Sequence, residues 1–216
     1  MKLYQIAATA VLAVITATSL DAQEAKAKGI LDELSNKTRK YTSITSDFSF
    51  TLKDKIADVE QTQEGKLKMQ GKKYVIVLGD NQIFSDGQTR WTYSEDMNEV
   101  YIDNAEGGED VLNPTDLYTV WETGFKHYYD GETTHNGAAH HLIKLNPNKP
   151  DEKAFHTVKL FIDKSKMEVT KMEILGKQGD DYTYLVKTFK TETDYPSSAF
   201  VFDKAKFPGV EVIDNR

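Results

Sequence analysis

From residue 48 onward the chain repeats with a period of two. Phe48, Phe50 and Leu52 alternate with Ser49, Thr51 and Lys53, and Leu67 and Met69 alternate with Lys66 and Lys68. Such a repeat puts successive side chains on opposite faces of an extended backbone, so these segments read as half-buried strands. Tyr74-Val75-Ile76-Val77-Leu78 departs from it by being apolar throughout. A strand that is apolar on both faces must be covered on both. Asp86-Gly87 stands between Ile83-Phe84-Ser85 and the run Thr89-Arg90-Trp91-Thr92-Tyr93, which predicts a hairpin with positive φ at the turn. Val100 and Ile102 continue the meander. Further strands are expected at 125–129, 141–145, 157–163, 169–175, 182–189 and 200–202. Asp130-Gly131, Asn146 to Pro150 and Lys177 to Asp180 read as their turns. With no internal repeat and no break in composition, this is one mainly β (α+β) domain: a single antiparallel, strongly curved sheet with helices against one face.

Two helices are expected. Ala27, Ile30, Leu31 and Leu34 fall at i, i+3, i+4 and i+7, so they share one helix face, and that helix should end near Arg39. The second begins at Asn113-Pro114-Thr115-Asp116, a cap, a preset first turn and a dipole-complementing acid. Leu117, Tyr118 and Trp121 would form its apolar face, and Gly124 its stop. A short aromatic helix is not needed to complete a sheet, but it can cover the mouth of an apolar groove as a lid.

Ahead of these elements lies an address. Lys2, the apolar stretch Ile6–Ala17 and the small residue Ala22 follow the pattern of a secretory signal cut near Ala22. The stretch, about 12 residues, is too short to span a bilayer as a helix, which needs ~20. Residues 1–22 are thus expected to be a signal peptide and residues 23–216 the mature domain, with an N-terminal anchor as the alternative. With Cys 0, a disulfide scaffold, thiolate metal sites and thiol catalysis are excluded, and stability must come from core burial.

Chemistry is hard to find. The net charge of −7 opposes a nucleic-acid partner. His127, His135, His140, His141 and His156 show no metal-ligand spacing, and adjacent strand residues such as His140 and His141 point to opposite faces. Gly107-Gly108 is followed by two acids, which would repel a phosphate. The carboxylates between Asp103 and Asp110 lack the calcium-loop periodicity. No nucleophile elbow occurs. No catalytic residue, metal or cofactor is therefore assigned.

Four stretches in order carry a resemblance: Ile30-Leu31 to Leu34 followed by Tyr41, Ser43, Asp47 and Phe48; Gln63-Glu64-Gly65-Lys66-Leu67; Asp86-Gly87-Gln88-Thr89-Arg90-Trp91-Thr92-Tyr93; and Phe200 to Asp203 followed by Pro208-Gly209-Val210, Asp214 and Arg216. With them the chain resembles the periplasmic outer-membrane lipoprotein carrier family, LolA. The resemblance implies an unclosed β-barrel of about 10–11 strands, with an N-terminal helix and lid helices over an apolar concave side. It implies a monomeric periplasmic carrier that takes acylated lipoproteins from an inner-membrane ABC exporter and passes them to an outer-membrane acceptor. On this reading Leu67, Met69, Tyr74, Val75, Ile76, Val77, Leu78, Trp91, Tyr93, Leu117, Tyr118, Trp121 and Phe125 are the cavity and lid residues. Phe202 is read as core. The family's lid-latching Arg falls at about Gly71 here, which leaves Lys72 and Lys73 as the candidate latch. A carrier also suits the physics: acyl chains lose ~0.8 kcal/mol per CH₂ group on exposure to water, so a soluble shuttle must bury them. A lipid-binding sensor or a structural envelope domain on the same fold is the alternative.

Overall fold

The computed structural model describes residues 3–105 and 118–216, with the side chains of the first helix described from Asp21 onward. Helix α1 (Leu3–Thr38) runs without a break through the expected signal and the amphipathic stretch. Among the described residues no helix is long and apolar enough to cross a membrane. Ala27, Leu31 and Leu34 are buried on one face of α1, as their spacing predicts, and Ile30 packs at its margin.

The strands form one sheet. They are β1 (Ile44–Asp54), β2 (Val59–Gln70), β3 (Lys73–Leu78), β4 (Asn81–Ser85), β5 (Thr89–Ser94), β6 (Glu99–Asn104), β7 (Phe125–His135), β8 (Ala138–Pro147), β9 (Phe155–Asp163), β10 (Glu168–Gly176), β11 (Asp180–Thr191) and β12 (Glu211–Asp214). Their spatial order is β12-β6-β5-β4-β3-β2-β1-β11-β10-β9-β8-β7, so two meanders meet at β1. The pairs are antiparallel except β12 on β6, which is parallel. The sheet is curved and not closed: β7 and β12 are its two free edges. This is the unclosed barrel expected, with 12 strands in the described residues against the 10–11 foreseen.

Several local expectations change. Phe200–Phe202 is not a strand; Ser197–Phe200 is a 3-10 turn, and the strand lies further on at β12. Asp130-Gly131 is not a turn. The β7–β8 register shifts between Tyr129 and Gly131, and Gly131 takes φ 110, so the pair forms a bulge inside β7. The hairpin turn is Asn136-Gly137, both at positive φ. At Asp86-Gly87 only Gly87 has positive φ, while the Asp86 carboxylate accepts from the Gln88 and Thr89 amides.

Registered partners share a face, which sorts the side chains. Ile44, Ser46, Phe48 and Phe50 of β1 lie with Met69, Leu67 and Gly65 of β2, then with Tyr74, Ile76 and Leu78 of β3, and with Ile83 of β4. This is the concave side, because these residues belong to the cluster that α1 completes with Ala27, Leu31 and Leu34. The same cluster holds Ile143, Leu145, Val158, Leu160, Ile162, Met172 and Ile174 from β8–β10. Phe48 fits only because residue 65 is glycine: a Cβ there would run into the Phe48 ring.

The convex side has its own cover. A second cluster joins Tyr93, Val100 and Val210 with Trp91, Phe202 and Phe207. Phe84 meets Phe202 edge-on at 5.8 Å, and Phe202 stacks on Phe207 at 4.6 Å. The C-terminal segment after Pro196 thus lies over the outer faces of β3–β6 before β12 joins the edge. It accounts for the doubly apolar β3: Tyr74, Ile76 and Leu78 face inward, Val75 and Val77 outward with Phe84.

Candidate functional site

The concave face of β1–β4 is apolar and only partly buried. Met69, Tyr74, Leu78, Ile83 and Phe50 are half-buried and pack at the margin of the main cluster, whereas Ile44, Leu67 and Ile76 are fully buried. Phe50 extends the surface across β11, stacking on Tyr182 at 5.9 Å. The apolar lining stops at β5. There the inward residues include Arg90 and Thr92, paired with Asp103 and Tyr101 of β6, and Arg90 and Asp103 form an ion pair at 3.4 Å.

A cover sits at one end of this face. Tyr118 to Glu122 pass over the end of α1 and the start of β1, with a 3-10 turn at Val120–Glu122. They enclose a cleft of about 180 Å³ lined by Arg39, Tyr41, Ser43, Ile44, Met69, Gly71, Tyr118 and Glu122, among others. Three contacts hold the cover. The Trp121 indole Nε1 donates to Ser35 Oγ at 2.7 Å, the His127 Nε2 meets the Trp121 carbonyl at 2.8 Å, and Arg39 pairs with Glu122 at 3.1 Å. Tyr118 and Trp121 are 4% and 2% exposed, and both belong to the main cluster. The aromatic segment is therefore a packed part of the interior in this state. The expected helix start at Asn113 and the candidate Leu117 lie outside the described residues.

The structure sorts the remaining candidates by face. Leu67, Met69, Tyr74, Ile76 and Leu78 are on the concave side. Phe125 opens β7 and stacks on Phe155 at 6.2 Å, at the margin of the same cluster. Val75, Val77, Trp91 and Tyr93 are corrections: register puts them on the convex side, with Trp91 and Tyr93 beneath Phe202 and Phe207. A period-2 pattern says that Trp91 and Tyr93 share a face, not which face curves inward.

The latch candidates Lys72 and Lys73 make no contact with the cover among the described residues. Gly71 takes φ 60 in the turn between β2 and β3, a conformation that suits glycine there. Lys72 follows it in the turn and is exposed. The Lys73 ammonium donates to Ser197 Oγ at 2.9 Å, which ties it to the C-terminal segment on the outer face. The contacts that hold the cover come from Ser35, Arg39 and His127 instead. Ser35 sits one residue past Leu34 at the edge of the helix stripe, a faint signal of contact. Nothing in the sequence marked Arg39.

Ionisation around the concavity is set by burial. Tyr118 is pushed up to about 12, chiefly by burial, with the Ser46 hydroxyl pulling slightly the other way and Glu168 adding to the rise. It stays a neutral phenol at any ordinary pH. Burial holds His141, on the inner face of β8, below its usual value. On the convex side His140 is buried, with its ring nitrogens on the Ala138 carbonyl and the Thr170 hydroxyl at 2.9 and 2.8 Å. The adjacent histidines do face opposite ways. Among the described residues no group of acids and histidines is arranged to hold a metal ion.

The family model described as "Outer membrane lipoprotein carrier protein LolA" matches residues 39–203. No curated protein sequence matches the chain. Among solved structures, an uncharacterized conserved protein from Thermus thermophilus superposes with a TM-score of 0.58 at 14% identity, covering 88% of this chain and 99% of that one. A putative outer membrane lipoprotein-sorting protein domain from Vibrio parahaemolyticus gives 0.51 at 11% identity, covering 82% and 97%. At such identities these two likenesses speak for the fold.

Proposed function

From the premise that this chain belongs to the LolA family of outer membrane lipoprotein carrier proteins, we propose that it is a periplasmic carrier of lipoproteins. It holds their acyl chains against the concave face of β1–β4 and moves them from the inner to the outer membrane. On this proposal it is exported, cut near Ala22 and works as a monomer. An inner-membrane ABC exporter loads it and an outer-membrane acceptor unloads it.

The supporting observation is the row of half-buried apolar side chains, Phe50, Met69, Tyr74, Leu78 and Ile83, running up to a cleft roofed by Tyr118–Glu122. A partly exposed apolar surface inside a curved sheet is what an aliphatic ligand needs. The cleft as it stands, about 180 Å³, is smaller than the ~300–1,000 Å³ of ordinary ligand pockets. Loading therefore requires the cover to move. Among the described residues its polar ties are one indole hydrogen bond, one imidazole contact and one half-exposed ion pair, beside the burial of Tyr118, Val120 and Trp121. An ion pair of that exposure contributes ~0–1 kcal/mol, and opening must also lift the buried Val120 and Trp121 out of the main cluster, a local opening that leaves the strand pairing of the sheet in place. Carrying demands no catalytic group.

Native mass spectrometry of the protein purified from its own envelope tests the proposal. A bound acylated polypeptide is the expected result. Protein that emerges free of lipid and lipoprotein under conditions that preserve non-covalent complexes contradicts it.

A further inference from the structure

The apolar concavity contains a polar place that packing does not explain. In β1 the inward row runs Ile44, Ser46, Phe48, Phe50, so a serine interrupts an otherwise apolar face. Ser46 is 2% exposed, lies opposite Leu67 and Phe189, and donates its hydroxyl hydrogen only to the carbonyl of its neighbour Asp47, at a long 3.3 Å. Tyr118 reaches this spot from the cover. Its ring packs on Phe189 at 5.7 Å, and its hydroxyl is buried with no partner at full hydrogen-bond geometry among the described residues, though the Ser46 hydroxyl stands close enough to act on it. Buried hydroxyls are nearly always satisfied, because an unmade bond there costs free energy. Phenylalanine and alanine would pack the same space without that cost.

We propose that the Tyr118 hydroxyl, with Ser46 beside it, is an anchor for a carbonyl oxygen, and that it makes the concavity select acyl chains linked through an ester or amide over plain alkyl chains. Both hydroxyls can donate, and a carbonyl oxygen offers two lone pairs. The phenol keeps its proton throughout the physiological range, since burial pushes it up to about 12. Tyr118 lines the cleft that opens onto the apolar row of Met69 and Ile44, so a chain lying on that row can bring its first carbonyl to the two hydroxyls. A hydrocarbon lacking the carbonyl would leave the Tyr118 hydroxyl without an acceptor, and that difference is the source of selectivity. The inference rests on the carrier reading and refines it, by naming the part of the ligand that is recognised.

The test compares two lipids that differ only at that carbonyl: 1-palmitoyl-lysophosphatidylcholine and 1-O-hexadecyl-lysophosphatidylcholine, titrated below their micelle concentrations. The wild-type protein should bind the ester roughly three- to tenfold more tightly, the worth of one net hydrogen bond. Tyr118→Phe should bring the ester's affinity down to that of the ether, and its melting temperature should stay level or rise, because an unsatisfied hydroxyl is gone. Ser46→Ala should lower the preference in part. Equal wild-type affinities, a preference that survives in Tyr118→Phe, or a variant that melts lower than wild type overturns the anchor and leaves the carrier reading standing. Wild-type protein that binds neither lipid overturns the carrier reading, and the anchor with it.

Discussion

Trp121 decides whether the aromatic segment is a loose lid or part of the interior. It is 2% exposed, and its indole donates to Ser35 Oγ at 2.7 Å. Trp121→Ala removes a fully buried indole, a change that costs ~3–5 kcal/mol when the neighbours cannot collapse into the space. It also strands the Ser35 hydroxyl, itself 9% exposed, for about 1 kcal/mol more. For a chain of this length each kcal/mol moves the melting temperature by ~2–4 °C, so a fall of roughly 8–24 °C is expected. The hydrogen bond can be isolated with Trp121→Phe, Ser35→Ala and the double variant, all followed by thermal melting. A coupling of about 1 kcal/mol is expected between the two sites. A melting temperature for Trp121→Ala within 2 °C or so of wild type would refute the argument. The segment would then be a peripheral lid whose docking adds nothing to global stability.

Gly65→Ala should lower stability by ~1–3 kcal/mol, because the added methyl meets the Phe48 ring; an unchanged melting temperature would mean that Phe48 has room to move. Acidification should weaken the fold through His135 and His141, which burial holds below the usual 6.5, with Lys171 and Lys164 respectively acting the same way. The folded state resists protons that the unfolded chain accepts, so this stability is present above about 6.5 and is lost as pH falls below it. Melting at pH 7.5 and pH 5.5 should show the loss, and His135→Gln with His141→Gln should reduce it; a slope of opposite sign refutes the assignment. Lys72→Ala and Lys73→Ala should each change stability by no more than ~0.5 kcal/mol and leave acyl-chain retention alone, since among the described residues neither touches the cover; altered retention would restore the latch.

How far the sequence carried the fold differs by element. The helix stripe of Ala27, Leu31 and Leu34, the meander and the run at β3 were legible because burial sets their periodicity. The strand at β12 was not. It is four residues long, pairs at an edge, and has only Val212 and Ile213 to mark it. Asp130-Gly131 misled because glycine at positive φ serves bulges as well as turns. Phe202 read as core and is half-buried under the convex cluster, while Phe200, two residues earlier, is 1% exposed. For the site, alternation identified the inward and outward sets of β2, β3 and β5 as sets. Which set faces the cavity depends on the sense of curvature and on what covers the other side. Here the C-terminal segment, far away in sequence, claims Trp91 and Tyr93. The ties of the cover, Ser35 to Trp121 and Arg39 to Glu122, join residues more than eighty positions apart. No local pattern encodes such pairings.

The central claim is that acyl chains lie on the inner face of β1–β4. Its most direct test is a lipoprotein carrying a photoactivatable group at the end of its acyl chain, loaded onto the protein, irradiated and mapped by peptide mass spectrometry. The account places the adducts on inward residues such as Met69, Tyr74, Leu78 and Ile83. Adducts on Val75, Val77, Trp91 or the C-terminal segment, with the inward residues unlabelled, would contradict it.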